Sequence, residues 1–415
     1  MIIRSISSSI IDALRFFRII YIDGARQVGK TTLVKQIASN NNYNYVTLDN
    51  NDSLILAKKN ASMFFSINKP PLIIDEVQKA PEIINYIKML VDNSPEKKGQ
   101  FILTGSVDFI KSVNISESLA GRLVGYKLYP LSNSELNNQQ FNWLDILFQE
   151  NFYEYFNKSK NHDYDFLLNR LLTGGFPEIQ SIDTKRQNQW FTNYIQARIN
   201  KDIKDLTKYN LQKADKLPSL LKLLADQSAD LLNISNIAKK LSLNFDTVEG
   251  YIFLIESMFL IEKLNPYETN VGRQVKKMKK IYFTDTGLIK NLSKITYKKL
   301  LDDRQLFGKL LENYIFNEIK KQITFSDDEY DIYYYRDHKT YEVDFIIENN
   351  EGEIICIEVK SAQRIDTSDL KGLRSFKRNY DKKITAMFVF YGGDNISALS
   401  IDESPVYLLP YNQIF

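Results

Sequence analysis

The residues from Gly24 to Thr31 have the types and the spacing of a phosphate-binding loop. They read Gly-Ala-Arg-Gln-Val-Gly-Lys-Thr, which fits the pattern G-x-x-x-x-G-K-[ST] at every position. Glycines let backbone N–H groups wrap around phosphates at a helix N-terminus, which already favours anions. Lys30 would reach the β- and γ-phosphates, and the Thr31 hydroxyl would ligate Mg²⁺. The predicted nucleotide-binding residues are Gly24, Ala25, Arg26, Gln27, Val28, Gly29, Lys30, Thr31 and Thr32.

The segments on both sides of this loop have the order that a nucleotide site requires. The apolar run of residues 18–22 is suited to a buried strand. Beyond the loop, Leu33, Ile37 and Ala38 recur at helical spacing. Strand, glycine loop and helix therefore favour a nucleotide site over the alternative, which is a surface turn that only resembles one.

Two carboxylates, Asp75 and Glu76, end a second apolar, strand-like run. Asp75 would hold Mg²⁺ through its water shell, and Glu76 would orient or deprotonate an attacking water. The carboxyl end of a strand is where ligands bind in an open parallel sheet. A third run, residues 100–106, ends in small polar residues. Thr104 or Ser106 either bonds the water or the γ-phosphate, or belongs to an ordinary turn.

A second set of chemically capable residues, Asp344, Glu358 and Lys360, lies on two strand-like runs in the last hundred residues. Strand periodicity places the apolar residues of each run on one face and the charged residues on the other. The apolar sets are Val343, Phe345 and Ile347 in the first run and Ile355, Ile357 and Val359 in the second. If the two strands are hairpin neighbours, the three charged side chains converge.

The chemistry of such a cluster is that of phosphodiester hydrolysis. Asp344 and Glu358 would bind one or two Mg²⁺ ions, which activate water and stabilise a pentavalent phosphate. Lys360 would position or help to deprotonate that water, or offset charge in the transition state. The alternative is two solvated strand ends joined by a Glu–Lys pair.

The middle of the chain reads as helical, and its residues 231–283 read as a winged helix-turn-helix. Two helices, 231–241 and 246–258, are separated by a short turn, and the continuation predicts a β-hairpin. The densest basic cluster of the chain is formed by Lys276, Lys277, Lys279 and Lys280. These lysines would neutralise DNA phosphates, but the acidic second helix suits base reading poorly, so DNA binding and protein contact both stay open.

An amphipathic helix is predicted from Gln189 to Leu206. Arg198, Lys201 and Lys204 lie on its other faces. They form either a basic surface that faces nucleic acid or a solvated helix face, which is the more common case.

Several short segments resemble a family of prokaryotic AAA+-type P-loop ATPases that is similar to archaeal-type ATPases. They read GARQVGKTTL, PPLIIDEVQKAP, ILTGS, SLAGR and YPLSNSEL, and GGFPE at residues 174–178 is shared as well. The resemblance runs from about Arg18 to Glu135 and, more weakly, to the C-terminus. It implies an ATPase that uses ATP and Mg²⁺ and carries a C-terminal domain of unassigned function.

The resemblance also implies roles for single residues. An arginine after the third strand can act in such families as a finger for the γ-phosphate of a neighbouring subunit, and Arg122 is the candidate. Its alternative is a helix-terminal arginine paired with a local carboxylate such as Glu117. The pattern D-x(13)-E-x-K resembles PD-(D/E)xK nucleases, with Glu312 matching the acidic residue of the preceding helix. Val343 departs from the first position of that pattern.

The sequence thus yields two sets of site residues. The predicted catalytic residues are Lys30, Glu76, Arg122, Asp344, Glu358 and Lys360. The predicted metal ligands are Thr31, Asp75, Glu312, Asp344 and Glu358.

Composition limits the class of protein. Hydrophobic residues make up 44% and charged residues 25% of the 415 residues, so a buried core is expected. A net charge of +3 identifies no partner. The single cysteine, Cys356, excludes an intramolecular disulfide, and with two histidines it cannot build a typical structural zinc site. No membrane span or export signal is recognised, so the expected location is the cytoplasm.

The expected fold class is α/β in four parts. A P-loop ATPase domain with a parallel sheet covers residues 1–135, and a helical lid or linker covers 136–230. A winged-helix-like segment covers 231–290, and an α/β PD-(D/E)xK nuclease-like domain covers 291–415.

The sequence leaves three functions open, one of which is a plain Mg²⁺-dependent nuclease whose ATPase only regulates oligomerisation. The first is an ATPase that acts on or is gated by nucleic acid and carries an Mg²⁺-dependent nuclease domain. The alternative is an ATP-dependent switch that binds a protein partner through a degenerate, non-cleaving C-terminal domain. A homo-oligomer is required only if Arg122 acts on a neighbouring subunit.

Overall fold

The computed structural model describes residues 2–106, 119–139, 141–156, 163–199, 214–380 and 384–414. The strands are β1 (Ile19–Asp23), β2 (Asn44–Thr47), β3 (Leu72–Asp75), β4 (Phe101–Thr104), β5 (Leu123–Lys127), β6 (Ile261–Leu264), β7 (Lys280–Phe283), β8 (Tyr330–Arg336), β9 (Glu342–Asn349), β10 (Ile354–Val359), β11 (Ile384–Tyr391), β12 (Ser397–Ile401) and β13 (Ser404–Pro410).

The α-helices are α1 (Ser7–Ala13), α2 (Lys30–Asn41), α3 (Asn51–Lys59), α4 (Ala61–Ile67), α5 (Ile83–Asp92), α6 (Asn133–Leu136), α7 (Trp143–Leu147), α8 (Phe152–Phe156), α9 (Tyr164–Thr173), α10 (Thr184–Ala197), α11 (Leu217–Asp226), α12 (Ile234–Leu241), α13 (Phe245–Ser257), α14 (Val271–Lys276), α15 (Thr286–Leu292), α16 (Tyr297–Asp302), α17 (Arg304–Ile323) and α18 (Lys371–Tyr380). Short 3-10 helices lie at Val77–Lys79, Glu178–Ser181, Ala214–Lys216 and Tyr411–Gln413. The predicted α/β class is confirmed.

The N-terminal sheet has five parallel strands in the order β2-β3-β4-β1-β5. Its strands are apolar on both faces because helices cover both sides of the sheet. Ile20 and Ile22 of β1 belong to one hydrophobic core, and Ile19 and Tyr21 belong to the core on the other side. Since all five strands are parallel, the loops that follow β1, β3 and β4 meet at one edge.

The middle segment contains two helices close to the predicted ranges and two strands, but residues 271–276, which include the start of the expected β-hairpin, are helical. Helices α12 and α13 each begin at an asparagine cap: the side chain of Asn233 accepts from the amide of Asn236, and that of Asn244 accepts from the amide of Thr247. Strands β6 and β7 pair antiparallel, with α14 between them in the chain. The helix predicted from residue 189 is present as α10, while Lys201 and Lys204 lie outside the described residues.

The C-terminal domain is built on a mixed six-stranded sheet in the order β12-β13-β11-β10-β9-β8. The predicted hairpin neighbours β9 and β10 are antiparallel, whereas β10–β11 and β11–β13 are parallel. Leu310 and Ile315 of α17 pack on one face of the sheet, and Leu373 and Phe376 of α18 pack on the other.

The alternation predicted for the first part of β9 is wrong. Phe345 and Ile347 belong to the core under α17, but Val343 belongs to the core on the opposite face. The register between β8 and β9 shifts at this point, where Tyr333 pairs with Ile346 and Tyr335 with Val343. Such a bulge re-aims one side chain, and the residue affected here is Asp344.

One large hydrophobic cluster runs from the N-terminal sheet through the middle helices to the C-terminal sheet. Its members include Ile20 of β1, Leu221 of α11 and Phe345 of β9. The two sites predicted from the sequence therefore share a common core. None of the helices in the described ranges has the length and apolar character needed to cross a lipid bilayer.

Candidate functional site

The loop between β1 and α2 requires glycine at two positions, Gly24 and Gly29. Gly24 has a φ of 139°, and a Cβ atom there would lie 2.2 Å from the carbonyl oxygen of Leu128. Gly29, with a φ of 99°, precedes the first helical residue, Lys30. Because both positions have positive φ, larger residues would be strained there. The loop ends at the N-terminus of α2, where amide hydrogens attract anions.

Lys30 is 5% exposed, and its ammonium donates hydrogen bonds to the carbonyl oxygens of Gly24 (2.7 Å) and Ala25 (2.8 Å). Burial lowers the pKa of Lys30 to about 8, although the nearby Glu76 opposes the shift. The side chain is thus a cation held inside the loop, at the place where phosphate oxygens would be bound.

The two residues predicted to hold Mg²⁺ at this site are in direct contact. The hydroxyl of Thr31 donates to Asp75 Oδ2 at 2.9 Å. Asp75 also accepts hydrogen bonds from the hydroxyls of Tyr45, at 2.9 Å, and Thr104. Hydroxyl and carboxylate oxygens are the ligands that Mg²⁺ prefers, so this pair fits a magnesium ion bound together with phosphates. Thr104 therefore orients Asp75.

Glu76 lies beside this pair and faces the same cavity. Its carboxylate accepts hydrogen bonds from Ser106 Oγ at 2.9 Å and from the side-chain amide of Gln78. Its backbone has a φ of 60°, and its amide donates to Thr104 Oγ1 at 3.1 Å. A left-handed residue that is not glycine or asparagine is strained, and such strain is common at functional sites. Ser106 and Gln78 fix the direction of the carboxylate.

A cavity of about 840 Å³ opens above the loop. Of the predicted nucleotide-binding residues, Arg26, Gln27, Gly29, Lys30, Thr31 and Thr32 line it. The other three predicted residues contact side chains of the protein: the carbonyl oxygens of Gly24 and Ala25 accept from Lys30, and that of Val28 accepts from Arg4.

The opposite wall of the cavity comes from the GGFPE segment and α10, which the sequence did not assign to the site. Pro177 and Glu178 line it together with Trp190, Tyr194 and Arg198. The rings of Trp190 and Tyr194 stack with centroids 5.0 Å apart and planes 7° apart, and the indole N–H donates to Glu178 at 3.0 Å. The helical spacing of Trp190 and Tyr194 was visible in the sequence, but only the fold shows what this face covers.

Both interpretations of Arg198 are wrong. Its side chain is 1% exposed, so it forms neither a basic surface nor a solvated face. The guanidinium lies 6.0 Å from the ring centroid of Tyr194 and donates to the carbonyl oxygen of Met258. Burial is the main cause that lowers the pKa of Lys30, and Glu76 opposes it. The positive charge of Arg198 lowers this pKa further. Arg198 is therefore a second cation at the cavity.

A buried arginine near the N-terminus supports the phosphate loop from behind. Arg4 donates to the carbonyl oxygens of Val28 and Tyr129, each at 2.7 Å, and to the carboxylate of Glu135 at 2.9 Å. The carboxylate of Glu135 also accepts from the amide of Ser132, in a capping box at the start of α6. The loop is thereby tied to residues more than 100 positions away.

The turn that forms the cavity wall is held by Asp285, just after β7. The amide of Gly175 donates to Asp285 Oδ2 at 2.6 Å, and the amide of Gly287 donates to Oδ1 at 2.8 Å. Asp285 is 2% exposed, and burial raises its pKa to about 6. The carboxylate is therefore ionised at neutral pH and accepts both bonds.

Replacing Asp285 by alanine is expected to weaken nucleotide binding about tenfold. The change leaves the buried amide of Gly175 without its charged acceptor, and such a bond is worth roughly 1.5–3 kcal/mol. Calorimetric titration with a non-hydrolysable ATP analogue measures the effect, and exposed Asp302→Ala is the matched control. Unchanged affinity in a folded Asp285→Ala protein would show that the turn does not need this support.

Arg122 binds a carboxylate of its own chain. Its guanidinium contacts both oxygens of Asp92 on α5, at 2.6 and 2.9 Å. This hydrogen bond raises the pKa of Arg122 and lowers that of Asp92. Arg122 is absent from the described residues that line the cavity, and Glu117 lies outside the described ranges. The role toward a neighbouring subunit remains a prediction.

The predicted residues of the C-terminal domain do come together. Lys360 donates to Glu358 Oε1 at 2.6 Å, and the amide of Val359 donates to Asp344 Oδ2 at 2.9 Å. Burial raises the pKa of Glu358, and the charge of Asp344 raises it further. The same two causes, in the same order, raise the pKa of Glu312. The protonated form of both glutamates is therefore favoured more than it would be at the surface.

A lysine that was assigned to a DNA-binding surface is inserted into this cluster. Lys280 of β7 is 2% exposed, which excludes it from binding DNA phosphates. Its ammonium lies 2.8 Å from Glu312 Oε1 and 3.4 Å from Asp344 Oδ1, and it also contacts Glu342. Burial alone would lower the pKa of Lys280, but Glu312 and the other acidic neighbours outweigh it and raise the pKa.

The magnesium ligands predicted for this domain are thus occupied differently from expectation. Asp344 and Glu312 bind an ammonium, and Glu358 binds the other lysine of the cluster. Within the described ranges, no group of three or more His, Cys, Asp or Glu side chains is arranged to hold a metal ion. As arranged here, these residues do not fit the divalent cation that the resemblance to PD-(D/E)xK nucleases implies.

Comparison with family models divides the chain into three matched ranges. A model described as AAA domain matches residues 17–137. Two further models, each described as a domain of unknown function, match residues 165–299 (DUF8612) and 307–413 (DUF4143). The first range contains the phosphate loop, Asp75 and Glu76.

Similar proteins are found in distant prokaryotes. An uncharacterized protein of Mycobacterium tuberculosis is 23% identical over 412 residues, covering 97% of this chain and 82% of that protein. One of Haemophilus influenzae is 25% identical over 411 residues, covering 92% of this chain and 91% of that protein. The solved Walker-type ATPase of Pyrococcus abyssi is 14% identical, covers 69% of this chain and 94% of its own, and superposes with a TM-score of 0.45. With the loop geometry, the AAA-domain match assigns to residues 17–137 the fold of an AAA-type P-loop ATPase.

Proposed function

We propose that this protein binds ATP with Mg²⁺ in the cavity above the phosphate loop and hydrolyses it. The observation that carries the proposal is the 2.9 Å hydrogen bond between Thr31 Oγ1 and Asp75 Oδ2, beside the buried ammonium of Lys30. A hydroxyl, a carboxylate and a lysine at the end of a glycine loop form the constellation that binds a nucleoside triphosphate.

Each residue has a role in the proposed reaction. The ammonium of Lys30 exchanges the carbonyl oxygens of the loop for phosphate oxygens, which carry full negative charge. Glu76, directed by Ser106 and Gln78, accepts a proton from the attacking water. Arg198 supplies positive charge from the opposite wall. Mg²⁺ would be held at Thr31 and Asp75 and would neutralise charge on the phosphates.

The direct test is release of phosphate from ATP by the full chain in the presence of Mg²⁺. Turnover that requires Mg²⁺ is the expected result. Tight ATP binding without any turnover would overturn hydrolysis and leave a nucleotide-binding protein.

ATP binding is expected to change the fluorescence of Trp190. The chain has two tryptophans, and Trp143 lies 2% exposed in the core, away from the cavity. Because Trp190 stacks on Tyr194 at the cavity wall, it is placed to contact the base or the ribose. The signal should therefore vanish in Trp190→Phe and persist in Trp143→Phe. A signal that persists in Trp190→Phe would place the nucleotide elsewhere.

For the C-terminal domain we propose the non-cleaving alternative, in which ATP controls a switch that binds a partner. Lys280 supports it, since an ammonium is bound by two of the carboxylates that a nuclease would use for metal. The expected result is that plasmid, linear and single-stranded DNA and RNA stay intact with Mg²⁺ or Mn²⁺. Nicking that disappears in Asp344→Asn would reverse this choice.

The second candidate function is an ATPase gated by nucleic acid. The exposed Lys277, whose ammonium contacts Glu268, and the half-buried Lys279 favour it. DNA that stimulates ATP turnover at low salt, and less so in Lys279→Ala, would support this candidate. Absence of both binding and stimulation would favour a protein partner.

A further inference from the structure

The acidic cluster of the C-terminal domain contains a cation that comes from another part of the chain. Lys280 belongs to β7, which precedes α17 and the C-terminal sheet in sequence. Its ammonium lies among the carboxylates of Glu312 on α17 and of Glu342 and Asp344 on β9. Three carboxylates from two elements thus converge on one amino group.

We propose that Lys280 is the built-in cation of this site and takes the position of a divalent metal ion. The C-terminal site of the native protein then binds no Mg²⁺ or Mn²⁺. Asp344, Glu312 and Glu342 hold the middle segment against the C-terminal domain instead of holding a metal.

Lys280 contacts one oxygen each of Glu312 and Asp344. Asp344 contacts the ammonium through Oδ1, while Oδ2 accepts the amide of Val359. Glu312 contacts it through Oε1, which also accepts the hydroxyl of Tyr282 at 2.7 Å. A divalent cation bound to the same oxygens would meet the ammonium at close range, where like charges repel strongly in a poorly solvated site.

The main chain fixes Lys280 on both sides. Lys280 pairs with Leu264 of β6 in the antiparallel ladder and with Leu231 in an isolated bridge. The ammonium also lies 5.9 Å from the ring centroid of Tyr334, within the range of a cation–π contact. Pairing on both sides fixes the main chain of Lys280, and burial at 2% exposure holds its side chain against the carboxylates.

Two substitutions separate the effect of the charge of Lys280 from the effect of its volume. Lys280→Met keeps an unbranched side chain of similar volume and removes the charge, whereas Lys280→Arg keeps the charge. In Lys280→Met the oxygens of Glu312, Glu342 and Asp344 lose their shared partner. Without the ammonium, the three carboxylates face a space that a hard divalent ion can enter once their side chains adjust.

The test measures Mn²⁺ binding to the full chain without nucleotide. Electron paramagnetic resonance detects the ion that stays free. Wild type and Asp344→Asn are expected to bind equal amounts of Mn²⁺, and Lys280→Arg is expected to match them. Lys280→Met should bind one additional Mn²⁺ per chain, and this gain should vanish in the double variant with Asp344→Asn. Circular dichroism verifies that each variant is folded.

Two outcomes overturn the proposal. One is a Mn²⁺ ion bound by wild type and lost in Asp344→Asn, which means that metal and lysine share the site. The other is a folded Lys280→Met protein that gains no Mn²⁺. If Lys280→Met fails to fold, the comparison of wild type with Asp344→Asn decides by itself. Nucleotide is absent throughout, so the result is independent of the proposed ATPase activity.

Discussion

Lys30→Ala is expected to lower the rate of ATP hydrolysis by at least about 100-fold, the loss typical for one donor that stabilises charge in the transition state. The ammonium is buried inside the loop, next to the helix N-terminus that would bind the phosphates. No other described lysine lines the cavity. A phosphate-release assay measures the loss, with exposed Lys58→Ala on α3 as the matched control.

A second readout of the same substitution checks the pKa of Lys30. Its pKa is about 8 in the folded chain and 10.5 without the fold, because burial opposes the charge. Between pH 8 and 10.5 the unfolded chain binds more protons, so this group makes stability rise with pH. Denaturant unfolding should show that rise in wild type and a smaller one in Lys30→Ala. Normal ATP hydrolysis by Lys30→Ala would remove the phosphate-loop assignment.

Glu76→Gln is expected to lower hydrolysis roughly 10²- to 10⁴-fold, the range for losing a general base, with ATP binding retained. The amide is nearly isosteric and keeps an acceptor for Ser106, so the cavity should keep its shape. It cannot accept a proton from water. In this variant the rate of ATP hydrolysis should therefore fall while the affinity for ATP is retained.

Measurement of both quantities on one sample tests that separation. Equilibrium binding of ATP gives the affinity, and phosphate release gives the rate. Exposed Glu82→Gln, just before α5, controls for the loss of a surface charge. Parallel loss of affinity and rate would mean that Glu76 supports the loop, and an unchanged rate would exclude it as the base.

The phosphate loop could be predicted because its signal is local. Gly24, Gly29, Lys30 and Thr31 lie within eight residues, and a strand and a helix flank them in an order that few folds share. Asp75 required one further step, since its position at a strand end places it at the same sheet edge. For that reason the contact between Thr31 and Asp75 follows from sequence spacing and parallel topology together.

The sequence does not predict the environments of Lys280 and Arg198 because distant segments form them. Lys280 lies in a lysine-rich run that is typical of a solvated surface, yet its partners are 32 to 64 residues away. A signal was present: Lys280 and Tyr282 alternate along an apolar strand, and both contact Glu312. Arg198 lay on the polar side of its helix, but the cavity and Met258 cover that side.

Arg4 is a residue of the site that the sequence does not indicate at all. Near the N-terminus it precedes a short helix, α1, and nothing in its neighbours marks it as functional. Arg4 supports the phosphate loop because the fold brings Glu135 and the carbonyl oxygen of Val28 to its guanidinium. Buried ion pairs between remote positions leave no periodic trace in a sequence.

Helix α17 reaches both halves of the molecule along a single axis. Glu318 accepts the amide of Asn133, two residues from the glutamate that holds Arg4, and Glu312 binds Lys280. Six residues separate these glutamates, a rise of about 9 Å along one stiff rod. Because both glutamates belong to one helix, a tilt of α17 at Glu318 would also move Glu312, and we expect a change behind the phosphate loop to reach the acidic cluster by this route.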